Sequence, residues 1–136
     1  MNVQPYLSFE GRTQEALDFY KTAIGAKVDA VMHYRDAPPE MQAQMPHKDK
    51  IMHSAFHVGD TQVMASDGQC SGKASFSGIT LTLNANSNQE AEKLFNALAQ
   101  GGGKVTMPIS ETFFADRFGM VSDKFGVGWM VMKAKD

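Results

Sequence analysis

Histidine, carboxylate, guanidinium and a single thiol are the groups in this chain that could do chemistry. His53 and His57 stand at i and i+4 within Lys50 to Val58, a stretch that alternates as a strand. They share a face but lie ~13 Å apart along it, at about 3.3 Å per residue. They therefore cannot chelate one ion as an i, i+4 helical pair can, and nothing in the sequence brings His33 or His47 to either. The plain expectation is one hydrogen-bonded core or pocket histidine and one exposed histidine. An imidazole titrating near neutrality would suit a general base.

Glu111 precedes an aromatic run, Phe113, Phe114 and Phe118, with Trp129 beyond it. A lone glutamate is ordinarily solvated or ion-paired. Beside those rings it could be partly desolvated, with a raised pKa, and the two readings stand even. The planar fork of Arg117 could hold an anionic substrate, but the plainer expectation is a surface ion pair with its neighbour Asp116. Phe113 and Trp129 read first as core and second as rings for ligand stacking. Cys70 lies in a polar loop with no base beside it, so a free loop thiol is expected rather than a nucleophile. GQCSGKA, Gly68 to Ala74, looks a little like a phosphate loop. It has three residues between its glycines instead of four, Ala74 where Ser or Thr should stand, and no helix after it. Gly101 to Gly103 follows a helix and reads as its stop, not as an anion nest.

Composition narrows the classes. The 136 residues fit one domain able to bury a substantial core. Hydrophobic residues at 43% exclude a disordered chain. A net charge of −2 with no block of like charge gives no basic face for nucleic acid. The start, MNVQPYLSFEG, lacks the features of a signal peptide, and no run approaches the ~20 apolar residues that span a bilayer. With Cys70 alone no intrachain disulfide can form, and a cytoplasmic protein is expected. Ten methionines is a high count. Flexible thioethers fill irregular cores or line adaptable pockets, and composition does not separate the two.

The elements that must position these groups come in a repeated order. Val3 to Phe9 reads as a strand. A helix follows, with Thr13 as N-cap, Ala16, Phe19, Tyr20 and Ile24 on one face, and Gly25 as stop. Lys27 to Arg35 is a strand. Asp36 to Asp49, with Pro38, Pro39 and Pro46, reads as a long loop of the kind that forms lids or binding segments. Lys50 to Val58 and Thr61 to Ser66 form a hairpin. After a 68–76 linker, Gly78 to Asn84 is a strand, and Ser87 with Glu90 makes a capping box for a helix through Ala91, Leu94, Phe95, Leu98 and Ala99. Lys104 to Met107, Phe118 to Ser122 and Val127 to Lys133 are strands, the last two flanking the turn Asp123 to Gly126. Gln14-Glu15-Ala16 recurs as Gln89-Glu90-Ala91, an offset of 90 − 15 = 75. The expectation is an α+β chain of two βαβββ modules, 1–67 and 77–136. Each module, with one helix over four strands, cannot cover both faces of its sheet, and pairing the halves would leave a partly enclosed surface between them.

A βαβββ unit used twice resembles the vicinal oxygen chelate superfamily of glyoxalase I, extradiol dioxygenases and bleomycin-resistance proteins. The likeness is to its PhnB-like branch. It is carried by Pro5-Tyr6 with Phe9, His53 with Met64, Ser66 and Asp67, Ser71 to Ser75 with Gly78, Glu111-Thr112-Phe113, Phe118-Gly119, Asp123 to Gly126 and Trp129-Met130. The resemblance implies a curved mixed sheet with an internal cleft, a homodimer and, in metal-dependent members, His or Glu in the first and last strand of each half. Those positions fall near Pro5, Ala65, Ile79 and Met130. A one-residue slip offers Gln4, Tyr6, Met64, Ser66, Gly78, Thr80, Trp129 and Val131. Neither set holds an imidazole or a carboxylate, so no metal and no cofactor is expected. Members also carry a demethylubiquinone methyltransferase label. A Rossmann-type methyltransferase needs a Gly-rich turn after its first strand and a parallel sheet, whereas Glu10-Gly11-Arg12 stands at that turn here.

The functional expectation is a small-molecule-binding protein that needs no metal, with His53, Glu111, Phe113, Arg117 and Trp129 lining its site. It would sequester a ligand or act on it by acid–base chemistry, and turnover is left open. The alternatives are a metal-dependent glyoxalase- or dioxygenase-type lyase or oxidoreductase with ligands elsewhere, and a partner-binding module with no ligand. No nucleic-acid or membrane partner is expected.

Overall fold

A computed structural model describes residues 1–42 and 47–136. Pro46, and with it part of the expected lid segment, lies outside the described residues. The chain divides into two units, Met1–Ala74 and Ser75–Asp136.

In the first unit, β1 (Tyr6–Ser8), α1 (Thr13–Ile24), β2 (Lys27–His33), β3 (Ile51–Val58) and β4 (Thr61–Ser66) form a four-stranded sheet with its helix. The strand order is β1-β4-β3-β2, with β1 parallel to β4 and the other pairs antiparallel. The buried face of α1 is Thr13, Ala16, Leu17, Tyr20 and Ile24. Leu17 thus joins the expected set, and Phe19 is only half-buried. Tyr20 stacks on Phe56 of β3, with ring centroids 5.9 Å apart, and meets Phe9 at 6.2 Å. Leu7, Val63 and Ala65 complete this core.

The cap of α1 differs from expectation. Thr13 is the first helical residue, and Arg12 at the cap position does not cap with its side chain, which donates to the Glu15 carboxylate. Instead the buried carboxylate of Asp67 accepts the Thr13 N–H at 2.8 Å through Oδ1 and the Ile51 N–H at 2.7 Å through Oδ2. A carboxylate at the helix N-terminus satisfies an orphan donor and meets the positive end of the dipole. The segment after β2 is not all loop, because Tyr34–Asp36 forms a 3-10 turn and Pro39–Gln42 a short α2.

In the second unit, β5 (Thr80–Asn84), α3 (Asn88–Leu98), β6 (Lys104–Ser110), β7 (Ala115–Ser122) and β8 (Gly128–Ala134) repeat the plan, with strand order β5-β8-β7-β6. The first strand again lies parallel to the last, here β5 to β8. Ser87 caps α3 by accepting the Glu90 N–H at 3.1 Å, and Glu90 accepts the Asn86 N–H at 3.0 Å. β6 and β7 run longer than their sequence suggests, and β6 accommodates Pro108 because it is the edge strand of this sheet and its pairing with β7 is irregular between Met107 and Ser110. At Gly119 an added Cβ would stand 2.7 Å from the Phe95 ring, so glycine lets α3 lie close on β7. Both units are therefore βαβββ modules, and the chain is α+β.

The expected linker is not a free tether. The Glu10 carboxylate accepts the Gln69 N–H at 3.0 Å and the Ser71 hydroxyl at 2.7 Å, and its carbonyl accepts the Gly72 N–H at 2.9 Å. Residues 68–72 are thereby held on the first unit.

Candidate functional site

Strand residues alternate between faces, so each sheet has one face under its helix and one facing away from it. In the first unit Leu7, Ser54, Phe56, Val63 and Ala65 are buried on the α1 side. The row Tyr6, Met64, Ala55 and Ala30 runs across β1, β4, β3 and β2 on the other side, with Met32 opposite His53 in the next row. Tyr6 is 49% exposed. Its hydroxyl lies 3.3 Å from His53 Nδ1, and the two rings lie 5.7 Å apart. A phenol and an imidazole so placed offer both a donor and an acceptor to a ligand oxygen.

His57 sits on the same strand, and its Nδ1 pairs with the Asp29 carboxylate. His53 and His57 are both half-buried and both partnered, so the expected division into one bonded and one exposed histidine does not hold. His33 lies 3.8 Å from Asp36.

Four sequence candidates lie in the second unit. Glu111 is exposed and pairs with Lys135 at 3.2 Å. Arg117 does form an ion pair, but with Glu92 of α3 at 2.8 Å, while its Nη1 donates to the Asp116 carbonyl at 2.7 Å. Adjacent strand residues point to opposite sides, which sends the guanidinium towards the helix. The Asp116 carboxylate faces Lys133 and Lys135 at 3.9 and 3.8 Å. Phe113 is 93% exposed, contrary to its reading as core, because it lies in the connection between β6 and β7 and not on a strand face. It meets Phe114 edge-on, and Phe114 meets Phe118 in the same way. Trp129 is 3% exposed, and its indole N–H donates to Asp123 Oδ2 at 2.9 Å. Asp123 Oδ1 accepts the Phe125 and Val127 N–H groups at 2.9 and 3.1 Å.

Sequence reasoning missed two features. The sequence points to Tyr6 through the resemblance alone, and its approach to His53 needs the parallel pairing of β1 with β4. The second is a row of thioethers: Met107 stands opposite Met120, Met120 opposite Met130, and Met130 opposite Thr82.

Burial raises the pKa of the Cys70 thiol, and the nearby Asp67 carboxylate adds to the effect, so little thiolate is available for attack. The divalent cation that the resemblance implies does not fit this donor set. Ala65 is fully buried on the α1 side, Met64 faces Tyr6, and Thr82 faces Met130. Among the described residues no three His, Cys, Asp or Glu side chains are grouped so as to hold an ion.

A family model described as 3-demethylubiquinone-9 3-methyltransferase matches residues 1–132. Protein YjdN of Escherichia coli K12 is 36% identical over 144 aligned positions, which cover 99% of this chain and 97% of YjdN. The crystal structure of PA1353 from Pseudomonas aeruginosa is 41% identical and superposes with a TM-score of 0.84 over 100% of this chain and 99% of that one. The PhnB protein from Bacillus cereus, titled a putative 3-demethylubiquinone-9 3-methyltransferase, has the same fold at 24% identity, with a TM-score of 0.80 over 98% and 100% of the two chains. The chain belongs to the family so described, and it shares its fold with the PhnB protein and with a glyoxylase/bleomycin resistance protein/dioxygenase domain from Frankia sp..

Proposed function

We propose that this protein binds a small molecule without a divalent cation, and that Tyr6 and His53 make the polar contact with it on the face of the first sheet turned away from α1. The observation that carries this reading is the 3.3 Å approach of the Tyr6 hydroxyl to His53 Nδ1 beside a ring that stays half exposed. Met32 and Met64 flank the pair in register and supply adaptable apolar contact. Sequestration is the simpler reading, because holding a ligand oxygen needs only the donor and acceptor that this pair supplies. Among the second unit's candidates, Phe113 offers an unburied ring for a ligand. Glu111, Arg117 and Trp129 are engaged by Lys135, Glu92 and Asp123 and have supporting roles. A homodimer in the cytoplasm completes the proposal, on the strength of the superfamily resemblance and the single cysteine. Methyl transfer is not proposed, since neither four-stranded sheet, each with two antiparallel pairs, offers the mostly parallel framework of a Rossmann-type methyltransferase.

The test is a thermal-shift screen of a metabolite and natural-product library in excess EDTA, with native mass spectrometry of protein purified from cell extract. Ligand binding that stabilises the fold raises the midpoint with concentration. A ligand retained in EDTA and bound more weakly by Tyr6→Phe and His53→Ala supports the proposal. No ligand in either assay, or ligands bound only with added metal, would overturn it.

A further inference from the structure

We propose that the second unit carries a thioether site for a soft monovalent cation, copper(I) or silver(I), formed by Met107, Met120 and Met130. The three stand on adjacent strands β6, β7 and β8 as opposed residues, Met120 and Met130 in regular register and Met107 between two irregularities of the β6–β7 pairing that leave it opposite Met120. Opposed side chains have Cβ atoms about 4.5–5.5 Å apart, near enough for long flexible thioethers to lean together over the central Met120. The row lies on the face turned away from α3. Gly119, Val121, Trp129 and Val131, which alternate with it, are buried on the helix side.

Core filling does not account for the whole row. Met107 is 43% exposed, and Met120 and Met130 are half-buried. The row ends at Thr82, whose hydroxyl lies 3.9 Å from the Met130 sulfur. Met132 lies on the same face two residues beyond Met130, opposite Phe118. The donors are therefore neutral and soft, with an alcohol at one end and no carboxylate or imidazole among them. Such a set gives a hard divalent ion nothing and favours a polarisable d10 ion. The same donor chemistry that fails the superfamily's usual metal suits this different class of ion. The inference rests on the second unit alone and is independent of the Tyr6–His53 reading.

The experiment uses the full chain with Cys70→Ser, to remove the thiol, under anaerobic conditions. Copper(I) is partitioned against bicinchoninate, and silver(I) is titrated by calorimetry. About one equivalent of copper(I) per chain is expected, with an all-sulfur shell by X-ray absorption. Met120→Leu should weaken binding about tenfold or more, while Met41→Leu leaves it unchanged. Leucine is close to methionine in volume, and thermal melting checks that the variants fold. Copper(I) lost entirely to bicinchoninate, unchanged affinity in a folded Met120→Leu, or a nitrogen or oxygen shell would each overturn the proposal.

Discussion

Asp67 accepts the backbone N–H of Thr13 at 2.8 Å across 54 residues of chain, and its other oxygen holds Ile51. One buried carboxylate thus ties the start of α1 to the start of β3. Asp67→Ala should leave two buried N–H groups without partners and cost about 3 kcal/mol in urea unfolding. Asp67→Asn keeps an acceptor for one N–H and turns an amide N–H2 towards the other, so it should recover only part of the loss. An Asp67→Ala variant as stable as the parent would mean that the carboxylate contributes nothing to the cap.

Glu10 is the second tether. Its bond from the Ser71 hydroxyl, and then that from Ser8, lower its pKa below the ordinary glutamate value. A depressed folded-state pKa contributes stability that is fully present above the unfolded value and is lost as pH falls through the folded value. Acidification should therefore loosen residues 68–72 before the core unfolds. Amide exchange at Gln69 and Ser71 should speed up on the acid side of the glutamate range, and Glu10→Gln should abolish that pH dependence. Gly68→Ala should open the same loop at any pH. Its φ is +55°, and an added Cβ would fall on the Glu10 carboxylate.

Gly119 sets the distance between α3 and β7. A Cβ there meets the Phe95 ring at 2.7 Å and Ile109 at 2.9 Å. Overpacking of this kind costs about 1–3 kcal/mol. Gly119→Ala should lower the melting temperature, and Gly119→Ala with Phe95→Leu should regain part of it. Trp129 emission reports the change, because this single tryptophan is buried on the α3 side and bonded to Asp123.

Local signals were legible in the sequence and distant ones were not. Ser87 and Glu90 were readable as a cap because both partners lie within one helical turn. The cap of α1 was misread because its acceptor, Asp67, lies at the far end of the module. Arg117 was assigned its sequence neighbour Asp116, whereas strand geometry turns it to Glu92 on α3. The thioether row was hidden by a single residue of register. A turn of Asp123 to Gly126 between strands ending at Ser122 and starting at Val127 would set Met120 opposite Trp129. The observed turn includes Val127, pairs Ser122 with Gly128, and so brings Met120 opposite Met130. A slip of one residue moves every side chain of a strand to the other face.

The Tyr6–His53 pair yields the prediction closest to function. If the phenol and the imidazole hold a ligand together, each deletion should weaken binding while leaving the fold intact, since both side chains lie outside the Leu7, Phe56 and Val63 core. Tyr6→Phe keeps the ring and removes one hydrogen bond, so affinity should fall by about 1 kcal/mol, or roughly fivefold. His53→Gln keeps a polar group of similar reach but displaces the donor and acceptor from the Tyr6 hydroxyl, so it should also bind more weakly. Calorimetry on the best hit of the EDTA screen measures both. Parent-like affinity in both variants would place the ligand away from this pair.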